Sequence, residues 1–322
     1  MHFTPERSSV IMNNRKRCFL ISLFAVLLFN QLSAYSQSPV KKMVDDGILQ
    51  ARLGDFKSAI QTLTQAIAMD TMATEPYYNR GVVEIQMKDY EGAVRDFSKA
   101  IRLRPSYPEP YFSRAVAKDC MKQSMDAIVD YTKAINLRPD YPDAYLNRGL
   151  IKFELQDYNE AVMDFTRALQ YKPVYPEAFY NRGLSKFHLS EFEDAVEDFS
   201  QAIRLDTVTP DYYSSRGAAK AAQGMYQDAI LDFNVTIMMR PVDVNAYMNK
   251  ALACLYLKDY DAAIEVYNKL IGIDDTYAEA YTNRGVAYQH TGNARSACED
   301  WQTASGLGSD KARGYVEKYC SR

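Results

Sequence analysis

The chain has 322 residues, a formal net charge of −3, and 47% hydrophobic against 25% charged residues. That composition is globular, which excludes disorder over the whole chain, and it lacks the basic excess of a dedicated nucleic-acid binder. With three His beside 25 Tyr and one Trp, chemistry built on several histidines has little to draw on.

The first element is a targeting segment. Arg15, Lys16 and Arg17 precede an apolar run from Cys18 to Leu32, followed by Ala34-Tyr35-Ser36. A basic stretch, a short apolar core and a small-x-small site define a secretory signal peptide, here residues 1–36 with cleavage near Ser36-Gln37. The alternative is an uncleaved anchor, for which the run is short. Cleavage would remove four basic residues and one acidic residue and leave a net charge of −6. The expectation is an exported protein, in the periplasm or outside the cell, touching membranes only through partners and binding no nucleic acid.

From there one motif repeats. The strings PYYNRG, PYFSRA, AYLNRG, AFYNRG, YYSSRG, AYMNKA and AYTNRG end at Gly81, Ala115, Gly149, Gly183, Gly217, Ala251 and Gly285, each 34 residues after the last, and a weaker copy ends at Gly47. Twelve residues after each lies an Ala (Ala59 to Ala297), and four further on a large residue: Leu63, Phe97, Tyr131, Phe165, Phe199, Phe233, Tyr267 and Trp301. With these residues in register the chain resembles the tetratricopeptide repeat family, whose unit is a 34-residue helix-turn-helix. The resemblance implies an all-α, right-handed superhelical solenoid of eight repeats: 40–73, 74–107, 108–141, 142–175, 176–209, 210–243, 244–277 and 278–311. Residues 312–322 are left as capping helix and tail, DKARGYVEKY (310–319) being the helical stretch. Repeat 1 departs most from the pattern and is read as the N-terminal cap.

Numbering each repeat 1 to 34, helix A is expected over about positions 2–14 and helix B over about 18–31. Pro108, Pro142, Pro176 and Pro210 open helix A, where a missing N–H costs little. Asp55, Asp89, Asp157 and Asp259 at position 16 are candidate caps for helix B, and Pro105, Pro139, Pro173 and Pro241 stop it. Folding the helices antiparallel sets position 8 against 20, Gly on Ala. It sets position 4 against 24, pairing Tyr77 with Phe97, Tyr145 with Phe165 and Tyr213 with Phe233. Positions 7 and 23 vary together. Arg80, Arg114, Arg148, Arg182, Arg216 and Arg284 accompany Asp96, Asp130, Asp164, Asp198, Asp232 and Asp300, while repeats 1 and 7 lose both members. An ion pair inside each hairpin is predicted, structural rather than catalytic.

The family resemblance places function on the concave, helix-A face, at about positions 2, 5, 6, 9, 12 and 13 of this register. Position 6 carries Asn79, Asn147, Asn181, Asn249 and Asn283. An amide both donates and accepts, so such a row resembles the asparagine ladder of O-GlcNAc transferases and would bond a peptide backbone. The alternative is that each Asn satisfies a nearby backbone carbonyl. Tyr78, Phe112, Phe153, Tyr180, Phe187 and Tyr256 form the accompanying aromatic strip. Position 2 adds an acidic edge (Glu75, Glu109, Asp143, Glu177, Asp211, Glu279), which argues against a carboxylate clamp and agrees with acids in a first helical turn.

No nucleophile elbow, phosphate loop or metal-spaced cluster is present, His188 and His290 lying three repeats apart. No enzyme activity, cofactor or metal is expected. Cys120 and Cys254 are too far apart to pair, whereas Cys298 and Cys320 fall nearly opposite across the last turn. They form a disulfide if geometry allows, or else remain two thiols. The function expected is a non-catalytic scaffold binding an extended peptide or partner protein in the groove. The alternatives are an envelope assembly factor using its convex face or ends, and a glycan-binding module.

Overall fold

The structure, a computed structural model, describes Phe3 and residues 38–320. The expected targeting segment and cleavage site lie outside the described residues, Phe3 excepted. Among the described residues there are seventeen α-helices, and no helix is long and apolar enough to cross a membrane. The chain divides into two compact units. The first runs through Pro173, and the second runs from Val174 and includes Phe3.

The first unit holds repeats 1–4 as four helical hairpins: α1 (Pro39–Arg52) with α2 (Phe56–Met69), α3 (Thr74–Gln86) with α4 (Tyr90–Leu103), α5 (Pro108–Cys120) with α6 (Ser124–Leu137), and α7 (Pro142–Glu154) with α8 (Tyr158–Tyr171). The second holds repeats 5–8: α9 (Pro176–His188) with α10 (Phe192–Leu205), α11 (Pro210–Ala222) with α12 (Tyr226–Met239), α13 (Val244–Tyr256) with α14 (Tyr260–Ile273), and α15 (Ala278–His290) with α16 (Ala294–Gly306), closed by α17 (Asp310–Tyr319). Each unit is a stack of hairpins, as the all-α solenoid class requires. Helices start one residue earlier than expected, so that proline stands at the first helical position of α5, α7, α9 and α11. Asp55, Asp89 and Asp259 accept from the backbone N–H three residues on, whereas Asp157 precedes α8 without a side-chain cap bond.

Between the two helices of every hairpin, position 15 adopts the left-handed conformation. Gly54, Gly224 and Gly292 do so at φ near 80°, and Lys88, Lys122, Gln156, Ser190 and Lys258 do so at 63–65°. The reversal that makes the hairpin is therefore uniform although glycine supplies it in only three repeats.

The interior register differs from the simple antiparallel pairing. A Cβ built on Gly81, Gly149, Gly183 or Gly217 would lie 2.7–2.8 Å from the ring at position 24, that of Phe97, Phe165, Phe199 or Phe233, so position 8 meets position 24 and not the alanine at 20. Helical side chains lean toward their own N-terminus. The long ring on helix B thus reaches toward the hairpin turn and slides over the glycine. Where Ala115 and Ala251 replace the glycine, the facing residue is Tyr131 or Tyr267. The second ring on this core comes from position 5, not 4: Tyr78 on Phe97 at 5.9 Å, Phe112 on Tyr131 at 5.6 Å and Tyr180 on Phe199 at 5.7 Å. The position-4 rings sit instead beside the arginine one turn on, Arg148 lying 5.7 Å from Tyr145 and Arg216 5.8 Å from Tyr213.

The arginine–aspartate pairs are bidentate and lie inside each hairpin. Arg148 donates from Nε and Nη2 to Asp164 at 2.9 and 2.6 Å, and the same fork joins Arg80 to Asp96, Arg114 to Asp130, Arg182 to Asp198, Arg216 to Asp232 and Arg284 to Asp300. Two partners were not foreseen from sequence. The remaining nitrogen Nη1 crosses to the preceding repeat, reaching Thr64 Oγ1, Ser98 Oγ, Thr132 Oγ1, Ser200 Oγ and Asn268 Oδ1. Lys118, Lys152, Lys186 and Lys220 add a second cation to the same carboxylates at 2.8–3.0 Å. The network ties one hairpin to the next as well as helix to helix.

Candidate functional site on the first helices of the repeats

Helix A presents three tiers. The deepest is closed. Phe112 and Tyr180 are buried, and so are Asn147, Asn181, Asn249 and Asn283, while Tyr78 and Asn79 are partly covered. The amide Nδ2 of Asn79, Asn147 and Asn181 donates to the carbonyl of Glu75, Asp143 and Glu177 in its own helix, at 2.8, 2.9 and 2.6 Å. A donor already held four residues back is not presented to a partner backbone, so the local alternative describes these three amides and the ladder is not preformed. Asn283 is fully buried beside the Tyr267 hydroxyl, and Asn181 Oδ1 is buried without a partner.

Tyr78 and Tyr180 belong to the seam between repeats. The Tyr180 hydroxyl lies 3.3 Å from Ser215 Oγ in the next hairpin. Burial pushes the Tyr78 phenol up to about 12, opposed by its hydrogen bond to Ser113. Serine replaces asparagine at position 6 in these two following repeats, where the preceding hairpin carries tyrosine at position 5. That complementarity is readable in the sequence at a spacing of 35 residues, and the sequence reading missed it.

The open tier lies at the hairpin-turn end. Phe153 packs edge-on against Tyr158, and Phe187 against Phe192, both at 5.3 Å and 65°. Tyr256, 43% exposed, stacks on Tyr226 at 5.0 Å and 7°. His290 stacks on Tyr260 at 4.5 Å. Each pair joins a ring at position 12 or 13 of helix A to one at position 17 of helix B. Of the six aromatic candidates, the structure leaves Phe153, Phe187 and Tyr256 accessible, and it adds the position-17 rings that sequence reasoning had not assigned.

The acidic edge is partly neutralised. Arg138 pairs with Glu109 and Arg240 with Asp211, each at 2.8 Å. Glu84 departs from the lysine found at position 11 in repeats 3–6. Burial, with the charge of Asp96, pushes its carboxyl up to about 7, and Arg80 opposes this. Cys298 and Cys320 form a disulfide with Cα atoms 5.7 Å apart, fastening α17 to α16, and Trp301 packs against Tyr315 and Tyr319 of α17. Among the described residues no group of His, Cys, Asp and Glu is placed to hold a metal ion. The thiol of Cys254 is buried, and burial pushes its pKa up, the opposite of an activated nucleophile.

Hairpins that close their own polar seam and leave paired rings at their turn ends define a helical repeat protein. Family models confirm the kind of repeat. A TPR repeat model matches residues 125–155, 149–190 and 251–292, and models described as tetratricopeptide repeat match 75–107 and 176–208. Over these residues the chain carries tetratricopeptide repeats. No curated protein matches it. Similar solved structures include a tetratricopeptide repeat protein from Parabacteroides merdae, 20% identical with a TM-score of 0.54 over 77% of this chain and 99% of that one. YrrB, described as a TPR protein with an unusual peptide-binding site, is 19% identical, with a TM-score of 0.54 over 58% of this chain and 97% of that one. The Cut9 and Hcn1 hetero-tetramer of APC/C matches at 15% identity and a TM-score of 0.52 over 95% of this chain and 63% of that one. At these identities the likeness is one of fold.

Proposed function

We infer that the protein is a non-catalytic, exported scaffold that holds an extended peptide or a segment of a partner protein along the first helices of its repeats. The observation that carries this reading is the set of ring pairs left partly open at the hairpin-turn end while Phe112, Tyr180, Asn147, Asn181, Asn249 and Asn283 are buried. Half-buried rings held in pairs, with Tyr256 exposed, suit docking of apolar side chains, because each ring offers a large contact area with little rotamer entropy to lose. The description of YrrB as peptide-binding agrees with such a use of the fold. Export is supported by the basic, apolar and small-residue sequence of residues 15–36.

The test compares the wild-type chain with Phe153→Ala/Phe187→Ala for capture of partners from a cell-envelope fraction. The expected result is loss of the captured species with unchanged helix content by circular dichroism. Capture that survives both substitutions would move the binding surface to another face or to the ends of the stack. Capture of glycan in place of protein would establish the carbohydrate reading.

A further inference from the structure

Within the second unit one ring pair is built differently from its neighbour. In repeat 5 the position-12 ring, Phe187, packs on the position-17 ring, Phe192. Repeat 6 keeps the second ring, Tyr226, but has Ala221 at position 12. A phenyl ring is missing there. Tyr256 from the following repeat stacks flat on Tyr226 and with it forms one aromatic wall beside the gap. The floor is apolar: Ala221, Ala229, Phe233 and Ala253 are buried, with Ile230 beside them. Repeat 1 also pairs alanine with a ring, Ala51 with Phe56, but Gln86 stands where Tyr256 would be, so the second ring of the wall is lacking.

The slot is filled by the protein's own chain. The ring of Phe3 lies 6.1 Å from that of Tyr226 and 5.6 Å from that of Tyr256, and it packs against the same alanine and phenylalanine floor. Phe3 supplies the ring that repeat 6 lacks.

We propose that Ala221, Tyr226 and Tyr256 form a subsite for one aromatic side chain of a bound peptide, and that Phe3 is its occupant in the intact chain. This rests on the scaffold reading and deepens it by naming the side-chain class the scaffold takes. Tyr256 is 43% exposed, so this side of the subsite faces solvent. Cleavage at Ser36 takes Phe3 away and frees the slot for a partner's ring, whereas an intact leader competes for it intramolecularly.

The experiment uses the full chain carrying Phe3→Ala with 13C-labelled alanine methyl groups. It is titrated with the capped hexapeptide MHFTPE, the sequence of residues 1–6, and with the same peptide bearing Ala for Phe. The methyl signals of Ala221 and Ala253 shift with the first peptide, and the second binds at least about tenfold more weakly. The wild-type chain binds MHFTPE more weakly than the Phe3→Ala chain. Adding Ala221→Phe, which restores the repeat-5 arrangement, abolishes binding with helix content retained. If that chain does not fold, Phe3→Ala/Tyr226→Ala gives the same loss. Equal binding of both peptides, absence of any methyl shift, or binding that survives Ala221→Phe overturns the proposal. Failure of this titration together with loss of partner capture by Phe153→Ala/Phe187→Ala removes the slot and leaves the scaffold reading intact.

Discussion

Removing the carboxylate of Asp164 tests what holds the hairpins of the first unit together. Asp164 is 3% exposed and takes two hydrogen bonds from Arg148 and an ion pair from Lys152, while Arg148 Nη1 reaches Thr132 in the preceding repeat. Asp164→Ala leaves Arg148 without its carboxylate and Lys152 with Glu160 alone, each cation's side chain being 15% exposed. Breaking a buried pair from one side costs about 3–5 kcal/mol, and the partial access of both cations to water brings the expectation to about 3 kcal/mol. Arg148→Ala costs less, because Lys152 still neutralises the acid. The double variant Arg148→Ala/Asp164→Ala loses less than the sum of the two, as repeat 7 shows that Lys250 with Val266 is a workable seam. Amide hydrogen exchange resolves the effect repeat by repeat in a stacked array, and protection in α7 and α8 is expected to fall most. A change below about 0.5 kcal/mol for Asp164→Ala would refute the view that these forks fasten the stack, since surface substitutions move stability by that much.

Three further outcomes are expected. Gly149→Ala drives a methyl to within 2.8 Å of the buried Phe165 ring and lowers stability by about 1–3 kcal/mol in denaturant titration, with partial recovery in Gly149→Ala/Phe165→Tyr, the combination found in repeats 3 and 7. For Glu84 the folded carboxyl stands at about 7, above its unfolded 4.5, because of burial and the charges of Asp96 and Asp89, with Arg80 and Arg95 opposing. A raised acid contributes stability that is present below the unfolded value and is lost as pH rises through about 7, so Glu84→Gln flattens this loss between pH 4 and 8, and a variant with the wild-type slope would contradict it. Reducing Cys298–Cys320 opens a loop of 22 residues and removes about 3 kcal/mol in the chain-entropy model, so α17 loosens and emission from Trp301 shifts to longer wavelength; an unchanged spectrum means α17 docks by its rings alone.

The repeat register, the helix pairs and the Arg–Asp forks were legible because each rests on residues that recur at one spacing, and the loss of both members in repeats 1 and 7 marked positions 7 and 23 as partners. The interior register was not legible from antiparallel counting, because that count ignores the lean of helical side chains, which carries Phe165 onto Gly149 and leaves Tyr145 beside Arg148. The left-handed residue at position 15 was hidden because Lys88, Lys122, Gln156, Ser190 and Lys258 fill it as readily as glycine. The candidate site was half visible. Asn147, Asn181, Phe112 and Tyr180 stand at helix-A positions that suit a groove, but Phe112 packs on Tyr131 and Tyr141, Tyr180 packs on Phe199 and Tyr212, and only burial distinguishes the four from Phe153, Phe187 and Tyr256. The role of Phe3 had no signal in the repeat pattern. The alanine at 221 that makes room for it did, as a break at position 12 after Phe153 and Phe187.

The most direct test of the central claim, that the open rings of the first helices hold the partner, is site-specific photocrosslinking in the native envelope. A benzoylphenylalanine is placed at Phe153 and, in a second chain, at Val129, which is 65% exposed on α6. A discrete crosslinked partner from position 153 and none from position 129 is the result expected. The same partner from position 129 and none from 153 would contradict the account.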